Sequence, residues 1–330
     1  MTRTPKQFSA AGAQSPAAGF GKKARRQATR RHVLQMAGAA GLAAALPRTG
    51  WAATGFSLGE MDVISLSDGH LGLPAGFVLS TMPQDQLGPV LADFGIDRNA
   101  ALTTPCNVTL VRHGGRLVLF DAGAGPGFQA SAGKLADALD GAGVDAGDVT
   151  HVVFTHAHPD HIWGVLDDFD EPLFYNAQHM IGQAEFDYWM NPNTVGSIAQ
   201  DRASFAVGAK RRLETIAETI TRFGDGQEIL PGIAARASLG HTPGHMSFEL
   251  RQGSESAMVL GDAVGNPHVA FVRPDWPSGS DQDTALAAKT RRGLLEQAAS
   301  DHMRIVGFHL PDGGIGRVER AGGAFRFVSG

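Results

Sequence analysis

The stretch His156-Ala157-His158-Pro159-Asp160-His161 decides how this chain is read. Three imidazoles and a carboxylate within six residues are electrostatically awkward unless a cation sits among them. Imidazole and carboxylate are the ligand types that hold zinc, iron or manganese. A single loop aims alternate side chains at neighbouring points, so His156 and His158 can serve one cation while Asp160 and His161 serve another. The loop follows His151–Thr155, an apolar run that predicts a buried strand.

Working outward, several other apolar runs also end in a polar residue. Met61–Leu66 alternates and then meets Asp68-Gly69, which predicts a strand closed by a turn. Arg116–Phe120 predicts a buried strand that stops at Asp121, Ala257–Leu260 runs into Gly261-Asp262, and Arg304–Phe308 runs into His309. Helical spacing is expected over Lys134–Leu139, Ala184–Trp189, Ala199–Ile220 and Asp283–Ser300. The class is therefore α/β, with site residues collected at strand ends. His245 closes the turn His241-Thr242-Pro243-Gly244-His245, where Pro243 and Gly244 fix the backbone and hold one ring rigidly. His245, Asp262 and His309 are the three further ligand candidates.

The order of these motifs resembles the metallo-β-lactamase superfamily and covers essentially all of residues 56–330. The resemblance implies a four-layer αββα sandwich with two divalent metal ions at one edge of its sheets, zinc first and manganese, iron or cobalt as alternatives. It implies one ion on His156, His158 and His245, a second on Asp160, His161 and His309, and Asp262 bridging them. A hydroxide held between the ions would be the nucleophile. Asp160 would handle protons beside it, so Asp160 and Asp262 carry the catalytic roles. Class B β-lactamases place a cysteine where Asp262 stands, and the one cysteine here, Cys106, precedes the histidine loop, which argues against that activity. The stretches Ile64–Gly69, Gly240–His245, Gly313–Gly316 and Phe325–Val328 are most similar to the methyl parathion hydrolases, with N-acyl homoserine lactonases sharing the same ligands. Those lactonases carry a tyrosine three residues after the bridging aspartate, where this chain has Gly265. A glyoxalase II-like thioesterase and a non-catalytic metal-binding protein are the alternatives. Only about twenty residues follow His309, which counts against the first of these.

Asp68 and Asp121, each at a strand end before or near glycine, are expected either to orient ligand histidines or to cap turns. His241 is a third residue placed behind the ligands. Phe128, Trp163, Trp189 and Phe205 are expected around an apolar substrate cavity.

Charge sets the partner class. Residues 1–52 hold nine Lys and Arg and no acid, so the overall charge of −5 leaves 19 basic against 33 acidic residues in 53–330, a balance of −14. Such a field repels phosphate and excludes nucleic acid as a partner. Residues 1–52 are expected to be an export signal behind a basic tail: Arg30-Arg31 precede the apolar run Met36–Leu46, which resembles a twin-arginine signal and is too short to span a bilayer. The mature 53–330 would then be one hydrolase domain, periplasmic or secreted. Its substrate is expected to be a small, neutral, apolar ester: a lactone, carboxylic ester or phosphotriester. A homodimer is left open. A single cysteine excludes an intramolecular disulfide, and Cys106 is expected to be a buried, inert thiol.

Overall fold

The computed structural model describes residues 54–330. The export signal expected over 1–52 lies outside them. Two seven-stranded sheets carry the fold. The first is assembled in chain order from β1 (Thr54–Leu58), β2 (Met61–Leu73), β3 (Leu102–His113), β4 (Arg116–Phe120), β5 (His151–Phe154), β6 (Gln178–Gly182) and β7 (Ile220–Phe223). Its first four strands are antiparallel and its last three join in parallel. The second contains β8 (Glu228–Leu230), β9 (Ile233–Ala237), β10 (Met246–Gln252), β11 (Glu255–Gly261), β12 (Arg304–Gly307), β13 (Ile315–Ala321) and β14 (Ala324–Ser329), neighbours throughout, with β11 and β12 parallel.

Side chains alternate across a strand, so each inner strand feeds two cores. Val118, Phe120 and Val153 face the second sheet and pack with Phe248, Leu250, Val259 and Val306. Their neighbours Leu119, Val152 and Phe154 face outward, against Leu135 and Leu139 of α3 (Leu135–Gly141) and Ala209 and Leu213 of α7 (Ala203–Thr215). Met258 and Leu260 likewise turn outward beneath Leu294, Leu295 and Ala298 of α9 (Thr284–Ser300). The result is the αββα sandwich. A satellite cluster joins α1 (Ala75–Leu79) and α2 (Gln84–Asp93) to Val269 and Trp276.

Two local expectations are corrected. Asp68-Gly69 does not end a strand: β2 continues to Leu73 through a bulge between Ser67 and Gly69. Gly69 has φ +97°, and Asp68 turns its carboxylate to the backbone N–H groups of Ala124, Gly133 and Leu135. Turn-type residues are used here to kink the strand and bind a loop. The single helix expected over Ala199–Ile220 is instead a 3₁₀ turn at Gln200–Arg202, then α7, then a second 3₁₀ turn at Ala217–Thr219, with Ile220 opening β7. By contrast, the helix expected over Asp283–Ser300 is present as α9, with Asp283 capping it by accepting the Leu286 N–H. Among the described residues no helix is long and apolar enough to cross a membrane.

Candidate metal centre

The loop after β5 is shaped by its own residues. Thr155 ends the strand and bonds to Asp121, while His158 caps the short α4 (Pro159–Ile162), with Pro159 in the first turn where its missing N–H costs nothing. This delivers His156, His158, Asp160 and His161 to one point at the sheet edge, all buried. His241 arrives from the turn after β9, Asp262 from the end of β11 and His309 from the end of β12. Gly261 makes the Asp262 turn possible: at φ +54°, a Cβ there would lie 2.7 Å from His245 Nε2 and 2.9 Å from Thr155 Cβ.

Two clusters of donor atoms result. His156 Nε2 and His241 Nε2 each lie 2.9 Å from His158 Nδ1, three ring nitrogens facing one another. Hydrogen bonding alone does not satisfy this arrangement, because a single proton on His158 Nδ1 serves only one partner. In the second cluster His309 Nε2 lies 3.3 Å from Asp160 Oδ2 and 3.2 Å from Asp262 Oδ2, while His161 Nε2 lies 3.4 Å from Asp160 Oδ2 and 3.2 Å from Asp262 Oδ1. Asp262 spans both, since its Oδ2 is also 3.3 Å from His241 Nε2. Asp160 Oδ2, His161 Nε2 and Asp262 Oδ1 are buried with no hydrogen-bond partner. Buried polar atoms are almost always satisfied, so three orphans aimed at one space fit a bound cation.

The charge balance points the same way. Burial favours neutral rings at His156 and His158, whose pKa values fall well below the usual imidazole range; His161 and His241 reinforce the fall. Neutral rings offer the lone pairs that a metal needs. At His161 and His309, burial also favours the neutral form, but Asp262 and Asp160 outweigh it and raise both pKa values well above the usual range. The same rings hold the Asp160 and Asp262 carboxyls low against the opposing effect of burial. The carboxylates draw positive charge into this space.

Every clustered ring except His158 is anchored through its other nitrogen. His156 Nδ1 meets Thr155 Oγ1 at 3.0 Å, His161 Nδ1 meets Asp121 Oδ2 at 2.8 Å, His241 Nδ1 meets Asp281 Oδ1 at 3.0 Å, and His309 Nδ1 donates to Pro105 O at 2.7 Å. Such outer partners fix tautomer and ring orientation in metal sites. The His158 ring is instead held between Trp189 and Phe205, with centroids 5.8 and 5.7 Å away.

The structure brings six of the seven sequence candidates together and replaces the seventh. His245 does not face the clusters: its Nδ1 meets Ser238 Oγ at 2.7 Å and its Nε2 accepts the Asp262 N–H at 3.0 Å. Burial, aided by His241, lowers its pKa to about 3, which keeps Nε2 an acceptor. His241, expected behind the ligands, completes the first cluster instead. Either histidine satisfies the His241–His245 motif, and only the turn's geometry separates them. Asp121, for which the sequence left both roles open, accepts from His161 Nδ1 and from Thr155 N–H; its φ of +69° is a left-handed conformation that aspartate tolerates. Asp68 touches no histidine and serves only the loop it binds. Cys106 is buried beside Asp160 and His309, and burial pushes its thiol up to about 11.

A cavity of about 540 Å³ opens over Asp160, His241, Asp262 and His309. Phe128 and Phe205 line it, as the sequence suggests, but Trp163 and Trp189 do not. Trp163 packs beneath Phe128 and under the Arg212 guanidinium, and Trp189 is buried with its indole N–H on Glu185. The remaining wall comes from Phe77 of α1, the segment 95–105 and Gly265–His268. No single pattern in the sequence marks these as wall residues, because they come from a short helix, the start of β3 and the loops between elements. Among the described residues no lysine or arginine lines the cavity.

The chain matches a family model described as the metallo-beta-lactamase superfamily over residues 102–309. It is similar to the solved structure of hydrolase AbOPH of the beta lactamase superfamily, with 26% identity and a TM-score of 0.77 over 84% of this chain and 97% of that one. It is equally similar to AidC, a dizinc quorum-quenching lactonase solved with a product, at 26% identity and TM-score 0.78 over the same shares. A probable metal-dependent hydrolase from Staphylococcus aureus, 18% identical, shares the fold with a TM-score of 0.66 over 79% of this chain and 96% of that one. No curated protein sequence matches the chain.

Proposed function

Because the chain belongs to the metallo-β-lactamase superfamily, we propose that it is a dinuclear metal hydrolase of neutral, apolar ester-type substrates. The observation that carries this reading is the paired donor clusters at the floor of an apolar cavity: His156, His158 and His241 for one divalent ion, Asp160, His161 and His309 for the other, and Asp262 reaching both. The N and O donor set suits zinc first, with manganese, iron or cobalt also compatible. Bound there, the ions supply Lewis acidity and an ionised water near neutral pH.

The chain's own residues do the rest. Phe128 and Phe205 exclude water and seat apolar substrate. Asp160 lines the cavity beside the space where the attacking water would sit, and as a carboxylate ligand there it would handle that water's proton and return it to the leaving oxygen. Without lysine or arginine in its wall, the cavity offers the added charge of phosphate mono- and diesters no partner beyond the ions, which favours lactones, aryl esters or phosphotriesters. Within the neutral class, lactone or carboxylic ester is the leading substrate, supported by the similarity to AidC. The same nucleophile and oxyanion stabilisation serve a tetrahedral phosphorus, so phosphotriester turnover belongs to the proposal.

The test is metal analysis of the purified protein followed by kcat/KM for an acyl lactone, an aryl ester, an aryl phosphotriester and its anionic diester. About two ions per chain and preference for a neutral substrate support the reading. Best turnover of the diester, or none on the whole panel, sinks it.

A further inference from the structure

Asp281 and Arg291 form an ion pair with side chains 2% and 4% exposed, Oδ2 to Nη2 at 2.6 Å. Burying two charges is expensive, and apolar residues of similar volume often stabilise as well or better. The pair therefore calls for a reason beyond stability, and its second oxygen gives one: Asp281 Oδ1 lies 3.0 Å from His241 Nδ1. We infer that Asp281, locked by Arg291, is a positioning residue for the first metal site, fixing the tautomer and rotamer of His241. The inference rests on the reading of His241 as a ligand.

The geometry works in one direction. Arg291 holds Asp281 Oδ2 while its Nη1 donates to Pro274 O at 3.2 Å and Trp276 O at 3.1 Å, so the carboxylate cannot swing away. Oδ1 is left as an acceptor for His241 Nδ1–H. A neutral imidazole with its proton on Nδ1 has a bare Nε2, and that nitrogen is the one aimed at His156 and His158. The backbone reinforces the ring. Gln282 N–H donates to His241 O at 3.1 Å and Asp283 N–H to Gly240 O at 2.9 Å, strapping the histidine turn to the segment entering α9. Gly240 permits this contact: at φ +122°, a Cβ would come 2.3 Å from Ala287 N. Ser280, next to Asp281, lines the cavity, so one strap sets both a metal ligand and part of the substrate wall.

The decisive variant is Asp281→Asn, which keeps shape but changes donors. Arg291 has only donors and takes the amide oxygen, which turns the NH₂ toward His241 Nδ1. That nitrogen must then accept, so the proton moves to Nε2 and blocks the metal position, the tautomer inversion known for aspartate–histidine pairs. In zinc-loaded protein, chelator competition should show one ion bound as in wild type and the other roughly 10–100-fold weaker. Cobalt(II) substitution should show an altered absorption spectrum for one ion only. The melting temperature of the chelator-treated protein falls whichever role Asp281 has, because the variant leaves the buried Arg291 charge unpaired, so metal affinity and the spectrum decide. A merely structural pair would lower that melting temperature and leave metal affinity unchanged. Asp281→Ala combined with Arg291→Met, which removes the acceptor together with the charge it faces, carries the same affinity test should the first variant fail to fold. Wild-type affinity for both ions with an unchanged cobalt spectrum overturns the inference. His241→Ala is the control: if it too keeps both ions, the ligand reading itself falls, and if it loses one where Asp281→Asn does not, only the role of Asp281 falls.

Discussion

His245 Nε2 accepts the backbone N–H of Asp262 at 3.0 Å, so the second histidine of the His241–His245 turn buttresses a carboxylate and does not face the metal space. The two histidines should behave differently when removed. His241→Ala loses a donor directly and should cost one ion and at least about 100-fold in kcat/KM, above the range for outer partners. His245→Ala should keep metal binding measurable while loosening Asp262 and leaving the Asp262 N–H unpaired, at about 1–3 kcal/mol of stability. Metal content and denaturant unfolding of both variants check this. Equal metal loss in the two would reverse the assignment.

Asp121 supports His161 as His245 supports Asp262. It accepts His161 Nδ1–H at 2.8 Å and takes Thr155 N–H at 2.8 Å, binding the loop to the ring it orients. Asp121→Asn presents an NH₂ to a ring N–H, and roughly 10–100-fold should be lost in metal affinity or kcat/KM. The left-handed backbone is tolerated by asparagine, so the melting temperature should fall little. Activity within twofold of wild type would show that Asp121 only caps the turn.

His179, on β6 and away from the clusters, gives a pH prediction. Its Nδ1 meets Thr219 Oγ1 at 2.8 Å and its ring stacks on Phe154. Burial lowers its pKa from 6.5 to about 4. Between those values the unfolded chain takes a proton that the folded chain refuses, so stability is full above pH 6.5 and falls as pH drops towards 4. The whole penalty is about 3 kcal/mol. Comparing wild type with His179→Gln at each pH cancels effects common to both, metal release included. The wild type should lose its advantage progressively between pH 6.5 and 4; a pH-independent difference refutes the assignment.

Export is also open to a direct test. The Arg30-Arg31 pair, the apolar run behind it and the charge break near Ala52 support a twin-arginine route to the periplasm, which we propose for this chain. Changing both arginines to lysine should leave the precursor uncleaved in the cytoplasm. Normal processing of that variant excludes this route.

Much of this molecule was legible before its structure. Arg116–Phe120, His151–Phe154 and Arg304–Gly307 are strands buried on both faces, so they appear as unbroken apolar runs, and each is closed by a site residue that must leave the sheet. With Asp262 directly after β11, six clustered donors were visible for that reason. The choice between His241 and His245 was not, because both flank the same Pro243-Gly244 pair and only tertiary partners, Asp281 for one and Asp262 N–H for the other, decide which ring turns inward. Glu185 was invisible for a related reason. It lies in a helical run, yet its buried carboxylate accepts Ala157 N–H, Thr242 Oγ1–H, Gly244 N–H and the Trp189 indole N–H, tying both histidine segments together. Trp189 looked like a wall residue because it is aromatic; its N–H had a buried partner that only the fold reveals.

Phe205 offers the sharpest test of substrate charge. Its ring lines the cavity, edge-on to Phe128 at 6.2 Å and 5.7 Å from the His158 ring, so a cation placed there would stand close to bound substrate. Phe205→Lys should do two opposite things. Losing the ring removes apolar contact worth about 1.5–3 kcal/mol when fully buried, which lowers kcat/KM for a neutral phosphotriester or lactone about tenfold or more. Adding an ammonium at that range, in a site of intermediate dielectric, offers an anionic diester about 1–2 kcal/mol, or roughly tenfold, relative to the parent. The apolar loss falls on both aryl substrates and cancels in their ratio, so the ratio of diester to triester kcat/KM should rise by roughly tenfold, with two ions still bound. The ratio isolates charge from a general loss of activity, because damage to the metal centre lowers both numerators and denominators alike. An unchanged ratio with intact metal content would mean that the substrate does not bind beside Phe205, and that the absence of basic side chains from this wall has no part in selecting neutral esters.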